Sequence, residues 1–329
     1  MKPIVLGAAG FLGINLVDAL IARGIEPRCG RRRRTNVLAL RKRKVPMVNT
    51  DQDDVDGMVE AMQGMDTVFH CAAHYPRLSI HPEQTLELGT RQLQNTLDAA
   101  ARAGIQRFVY VSTTAIVAPN PDGGPSNETH RHPARPGHGT YHDLKWELER
   151  MIDAEDRFQT VSAAPGACIG PWDLRVGTTA LLVATANGMN PPHPNGWINP
   201  VDARDVGEAL ARIGLREAPS DRYVFAGGNH RLHDMLVGLA DRYRVAAPVP
   251  ALSDDEAVRL ADELEHKAHE TGERALLARE IADMVIHGVP IDTTRAQTEL
   301  GMSWRSLDET LDAYDAWARP LRILPTIEP

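Results

Sequence analysis

Gly7-Ala8-Ala9-Gly10-Phe11-Leu12-Gly13 follows the short apolar run Pro3-Ile4-Val5-Leu6 and leads into a stretch of helical apolar spacing, Gly10 to Arg23. Three glycines at this spacing let a strand turn sharply into a helix, let the backbone approach a pyrophosphate, and let the helix pack closely on the strand. The helix N-terminus adds amide donors and positive potential. A dinucleotide cofactor held by Gly7, Gly10, Phe11, Leu12 and Gly13 is therefore expected. A glycine triplet by itself marks only a tight turn; its place directly after the first strand gives it chemical meaning.

Outward from this turn, β-branched runs alternate with helical stretches: Ile25–Gly30, Val45–Asn49, a helix over Asp54–Met62, Asp66–Cys71, a long helix over Pro82–Ala103, Arg107–Ser112, a helix over Thr140–Ala154, and Gln159–Ala164. Strands recurring between helices need crossovers, and crossovers build a parallel sheet covered on both faces. The expected fold class is α/β, a doubly wound parallel sheet of the Rossmann kind. The second half is less regular. It has Gly- and Pro-rich stretches at 119–139 and 188–200, a further strand at Arg222–Ala226, charged helical sequence from Ser253 to His287, and a capping box, Ser306-Leu307-Asp308-Glu309, that opens a last helix. This pattern assigns 1–170 and 201–226 to an NADP-binding Rossmann domain, and 171–200 with 227–329 to a smaller, mostly helical substrate-binding lobe.

The 329 residues suffice for a large core, and a content of 43% apolar and 24% charged residues excludes a disordered chain. Cys29, Cys71 and Cys168 form no close pair, as expected of buried thiols in a reducing compartment, so a cytoplasmic location is expected. No apolar run approaches the roughly 20 residues that span a bilayer. Met1 to Leu6 superficially resembles a secretion signal, but the glycines break its apolar region. The net charge of -8 is unevenly spread: residues 28–44 carry nine Arg or Lys and no acid, leaving 27 basic against 44 acidic residues elsewhere. Most of that surface repels a phosphate backbone, so the expected partner is a small-molecule substrate and not nucleic acid.

The basic cluster has a local meaning. Arg31, followed by Arg32, Arg33 and Arg34, stands where the second strand ends. An acid there would bond the ribose hydroxyls of NAD, whereas guanidinium groups pair with the 2′-phosphate of NADP. NADP(H) is therefore expected in preference to NAD(H), with Arg31 and Arg32 as the contacts, and Arg41-Lys42-Arg43-Lys44 is expected on a solvated surface. Further on, Tyr141-His142-Asp143-Leu144-Lys145 places a phenol and an ammonium four residues apart, on one face of a helix. A nearby cation stabilises a phenolate, so Lys145 is expected to lower the pKa of Tyr141 and make it an acid/base.

These features, with the Asp51 segment, His70-Cys71-Ala72-Ala73, Phe108-Val109-Tyr110-Val111-Ser112-Thr113-Thr114, Pro165 to Pro171 and Val201 to Val206, resemble the extended short-chain dehydrogenase/reductase superfamily over nearly the whole chain. Gly170-Pro171-Trp172-Asp173 and Trp197-Ile198-Asn199-Pro200 resemble its dihydroflavonol reductase-like branch. That branch includes hopanoid-associated sugar epimerases and has 3β-hydroxysteroid dehydrogenases as near relatives. The resemblance implies Tyr141 as catalytic acid/base, Lys145 on the nicotinamide ribose, and Thr114 as the hydroxyl that holds the substrate oxygen, with Thr113 and Ser112 close in sequence. It further implies Asp51 and Gln52 near the adenine, Ala72, Ala73 and Ser112 along the cofactor cleft, and Pro165 and Gly166 beside the nicotinamide. A homodimer is common among such proteins.

Two positions depart from the pattern. Leu86 stands where an asparagine of the proton relay is usual, and Gly196 where nucleotide-sugar enzymes carry a phosphate-binding arginine. His74 and Tyr75 are candidate substrate contacts. His130, His132, His138 and His142 crowd the Tyr141 region without a zinc-like spacing, so no metal is expected. The 254–286 stretch is expected either to cover the cleft or to pack with one face to water. The expected reaction interconverts a carbonyl and a secondary alcohol on a largely apolar substrate. The alternatives are a nucleotide-sugar epimerase or dehydratase with tightly bound NAD, and a non-catalytic NADP sensor.

Overall fold

Pro3-Ile4-Val5-Leu6 is buried along its whole length, as a strand with helices on both faces must be. The computed structural model describes residues 1–74, 81–272, 275 and 277–325, so Tyr75 lies outside the described residues. In chain order the elements are β1 (Pro3–Leu6), α1 (Phe11–Ile21), β2 (Arg28–Arg31), α2 (Leu38–Arg43), β3 (Met47–Asn49), α3 (Val55–Met62), β4 (Thr67–His70), α4 (Pro82–Ala103), β5 (Arg107–Val111), α5 (Thr140–Asp153), β6 (Gln159–Pro165), β7 (Ala167–Ile169), α6 (Ala180–Ala186), β8 (Trp197–Ile198), β9 (Pro200–Asp202), α7 (Ala203–Leu215), β10 (Arg222–Phe225), β11 (His230–Arg231), α8 (Leu232–Tyr243), α9 (Asp254–Thr271), α10 (Arg279–Ile286), α11 (Thr294–Leu300) and α12 (Leu307–Ala318). A 3-10 turn at Thr114–Ile116 follows β5.

Seven strands lie in the order β3-β2-β1-β4-β5-β6-β10, and every neighbouring pair is parallel. The winding reverses between β1 and β4, the place where doubly wound sheets bind ligands beyond the carboxyl ends of their strands. Leu6 pairs with His70, and His70 with Tyr110. Gly7, Cys71 and Val111, the last residue of β5, therefore lie side by side at the carboxyl edge of the sheet.

Alternation along the strands supplies two cores. Val5 joins Leu16, Leu20, Val206 and Leu210 under α1 and α7, while Ile4 and Leu6 join Leu93, Leu97, Leu144 and Leu148 under α4 and α5. A third core of Leu182, Leu236 and Tyr314 gathers α6, α8 and α12. Local signals set the helix ends. Asp54 accepts a bond from the Gly57 amide at 3.0 Å, α4 opens on Pro82 and closes on Gly104 at φ +76°, and the Ser306/Glu309 box caps α12.

Two details differ from the sequence-based expectation. β2 begins at Arg28, not Ile25, because the Ile25 amide closes the end of α1 by bonding to Leu20 O and Pro27 has no amide to give a ladder. The run Arg41 to Lys44 is not wholly a solvated surface. Arg43 bonds Asp18 of α1, with Nη2 donating to Oδ2 at 2.6 Å, and its guanidinium lies 4.7 Å over the Trp172 ring, an ion pair and a cation–π contact that draw it inward.

Candidate active site

The glycine turn is built to bring backbone groups together. Gly7 has φ +77°, and a Cβ there would approach Cys71 O to 2.7 Å, while a Cβ on Gly13 would overlap Gly7 O. The Gly10 amide donates to Gly7 O at 2.8 Å. Gly10 is the N-cap of α1, which carries neither a side-chain cap nor an acid in its first turn. Phe11 and Leu12 are half-buried at this end. The exposed dipole and the unmasked amides suit an anionic group.

Arg31, at the end of β2, is half-buried, and its Nε is buried with no hydrogen-bond partner. Arg32 is exposed, and its charge, after burial, helps hold the His74 imidazole below its ordinary pKa. Neither guanidinium has an ion-pair partner among the described residues. A donor removed from water and left without an acceptor fits one brought by a ligand. Asp51 is exposed just after β3. Gln52 faces inward instead: its Nε2 lies 2.9 Å from His70 Nε2 and donates to Thr96 Oγ1 at 3.2 Å. Ala72 and Ala73 leave β4 half-buried, and Gly166 after β6 is packed so closely on Asn199 O that a side chain would overlap it.

Tyr141 and Lys145 lie on the inward face of α5, which Leu144, Leu148 and Ile152 anchor in the core. Both are buried, at 7% and 6% exposure. Lys145 Nζ donates to Val111 O at 3.2 Å and to Tyr110 Oη at 3.4 Å, at the carboxyl end of β5. Burial lowers its pKa to about 8, against the opposing pull of Glu149 and Cys71. Tyr141 shares a hydrogen bond with the Thr113 hydroxyl. Burial pushes the phenol well above its ordinary value, the Thr113 bond opposes this, and Glu280 and Cys168 add to the rise. The expectation that Lys145 lowers the Tyr141 pKa is thus not met here, because the ammonium is directed to Tyr110 and Val111. Thr114, one residue beyond Thr113, opens the 3-10 turn and is 8% exposed.

Glu149, Arg222 and His287 were missed by the sequence reading. Ser112 donates its hydroxyl to Glu149, so its side chain is committed inside the protein. Glu149 lies 2.8 Å from Arg222 Nε, and Arg222 is 1% exposed on β10. The spacing Tyr141, Lys145, Glu149 could have flagged the glutamate; nothing local announces its partner from β10. His132, His138, His142 and His287 pack ring to ring, with His138 and His287 stacked at 3.7 Å. Among the described residues no group of three or more His, Cys, Asp or Glu side chains is arranged to hold a metal ion. Leu86 packs against the core under α4.

Residues 4–190 match the family described as the NAD dependent epimerase/dehydratase family. The chain belongs to this family. It is an NAD(P)-dependent enzyme of the extended short-chain dehydrogenase/reductase type. Within this epimerase/dehydratase family it is similar to a putative dihydroflavonol 4-reductase of Synechocystis, 28% identical over 95% of this chain and 93% of that one. It is also similar to sterol demethylase protein B of Methylococcus capsulatus, 31% identical over 97% and 98%. The fold is shared with a nucleoside-diphosphate-sugar epimerase from Pseudomonas aeruginosa, at TM-score 0.81, 23% identity and 99% coverage of each chain. Among the described residues no helix is long and apolar enough to cross a membrane.

Proposed function

We propose that this protein is an NADP(H)-dependent oxidoreductase that interconverts a carbonyl and a secondary alcohol on a small or medium-sized, largely apolar substrate. The observation that carries the reading is the buried Tyr141 phenol, bonded to Thr113 and one helical turn from the Lys145 ammonium, at the carboxyl edge of a sheet whose first turn is open to an anion. The α1 N-terminus with Gly7, Gly10 and Gly13 would hold the pyrophosphate, Arg31 and Arg32 the 2′-phosphate, Asp51 the adenine side and Lys145 the nicotinamide ribose. Ala72, Ala73, Pro165 and Gly166 would line the cleft. When bound, the reduced nicotinamide supplies a hydride for the substrate carbon.

A phenol that burial keeps protonated is a proton donor, so Tyr141 gives its proton to the carbonyl oxygen. Thr114 donates a hydrogen bond to that oxygen, and Thr113, bonded to the phenol, orients it and stabilises the phenolate that remains. His74 borders the substrate side. The names of the two relatives with near-complete coverage, a dihydroflavonol reductase and a sterol demethylase protein, support an apolar substrate.

The nucleotide-sugar reading is weakened at Gly196, where a side chain would overlap the Val285 carbonyl, so α10 leaves no room for an arginine. The decisive experiment follows NADPH oxidation with a dihydroflavonol and a 3-ketosteroid. Tyr141→Phe is expected to bind NADPH as the wild type does and to lose about 100-fold or more of turnover; full activity in that variant rejects the assignment.

A further inference from the structure

Helix α10 is wedged between two glycines. A side chain on Gly196 would overlap the Val285 carbonyl, and one on Gly139 would overlap the Asp283 carboxylate. Gly139 is the N-cap of α5, with φ +95°, and so brings no side chain of its own to the start of the helix that carries Tyr141 and Lys145. Asp283, 2% exposed, reaches this point from α10. Arg279 Nε donates to its two oxygens at 2.9 and 3.0 Å. Arg279 is fixed in turn by α9: Nη1 donates to both Asp262 oxygens at 2.8 and 2.9 Å, and its amide to Glu265 at 2.9 Å. One turn past Asp283, His287 stacks on His138, the residue before Gly139. Residues 279, 283 and 287 recur every fourth position and so share one face of α10, which packs on α5.

A carboxylate beside the start of a helix whose N-cap residue brings no side chain favours the helix dipole. It is kept there at a cost. Burial pushes the Asp283 carboxyl up to about 6 against the pull of Arg279, and the neighbouring acids Asp262 and Glu265 add to the rise. A charge held against desolvation in this way fits a functional role better than a purely structural one.

We propose that Asp283 is a positioning residue: carried by α10, it sets the start of α5 and hence the place of Tyr141, so that docking of α10 and alignment of the acid/base are one event. This rests on the reading of Tyr141 as proton donor. A misplacement of about 1 Å can cost up to ~100-fold in rate.

The test compares Asp283→Ala and Asp283→Asn in the full chain. Asp283→Ala is expected to lower kcat for NADPH-linked reduction of the dihydroflavonol or 3-ketosteroid probe at least tenfold, with KM for NADPH within about twofold. It is also expected to speed amide exchange at residues 140–143 about fivefold, the effect of losing one polar partner at a helix start. Asp283→Asn keeps an acceptor oxygen in place and should return both readouts to within about threefold of wild type without a lower Tm. Should Asp283→Ala not fold, Asp283→Ser, whose hydroxyl stops short of Gly139, takes its place with the same expectations. Unchanged exchange at 140–143, or exchange and kcat that the asparagine variant does not rescue, overturns the proposal. The exchange measurement needs no turnover, so it decides the role of Asp283 even if Tyr141→Phe stays active and the reading of Tyr141 fails.

Discussion

Replacing Arg31 with alanine is expected to separate the two nicotinamide cofactors. The Arg31 Nε is buried without a partner, and the guanidinium has no carboxylate to compete for it among the described residues. A charge-assisted bond from such a group to a phosphate is worth about 1.5–3 kcal/mol, and half-burial limits its screening by salt. At ~1.4 kcal/mol per tenfold, Arg31→Ala should raise the NADPH Kd roughly 10- to 150-fold and leave the NADH Kd within about threefold. Arg32 is exposed, so Arg32→Ala should cost only about threefold, as solvent-screened pairs do. Quenching of intrinsic tryptophan fluorescence on titration with each cofactor reads both constants. Raising NaCl from 50 to 500 mM should weaken NADPH binding more in the wild type than in Arg31→Ala. Equal losses for NADPH and NADH in the variant, or a wild type that binds the two alike, would refute the assignment of these arginines to a 2′-phosphate.

Three further outcomes are expected. Gly13→Ala pushes a methyl into the Gly7 carbonyl; overpacking of this kind costs about 2–3 kcal/mol, a Tm lower by ~3–4 °C in calorimetry, and cofactor binding should weaken with it. The Lys145 pKa is lowered in the fold from 10.5 to about 8, so the unfolded chain binds more protons across that window and wild-type stability should rise with pH between about 8 and 10. Tm against pH in the wild type and Lys145→Met checks this, the contribution vanishing in the variant; over the same window the ammonium is lost and the rate of reduction should fall. Arg222→Met takes from buried Glu149 its 2.8 Å partner, leaving it the Ser112 hydroxyl and, at 3.4 Å, Arg131, and should cost about 3 kcal/mol in urea unfolding, whereas the double variant with Glu149→Gln should cost clearly less than the sum of the two single variants; a double cost equal to that sum would show that the pair is not coupled.

Much of this protein is legible locally. The apolar run before Gly7, the glycine spacing, Asp54 and Ser306 as caps, and Pro82 with Gly104 around a long helix each act within a few residues, so they specify the strand-helix alternation and the parallel sheet. The same holds for Tyr141 and Lys145, whose shared face follows from helical period alone. Other features depend on residues far apart in sequence. Gln52 was expected beside the adenine but binds His70 and Thr96, because β4 and α4, which carry those side chains, come within reach of the residues after β3 only when the chain is folded. The Lys145 charge goes to Tyr110 and Val111 for the same reason.

By itself the sequence determined a doubly wound α/β chain with a glycine turn into the first helix, arginines at the end of the second strand and a phenol–ammonium pair on one helix, since hydrophobic period, glycine conformation and capping are short-range effects. Only the tertiary structure decided which hydroxyl meets Tyr141, that Ser112, Glu149 and Arg222 form a buried polar chain, and that Asp283 of α10 closes the start of α5. Those are pairings across 28 to more than 140 residues. Their partners are chosen by how the elements pack, and no local pattern carries that information.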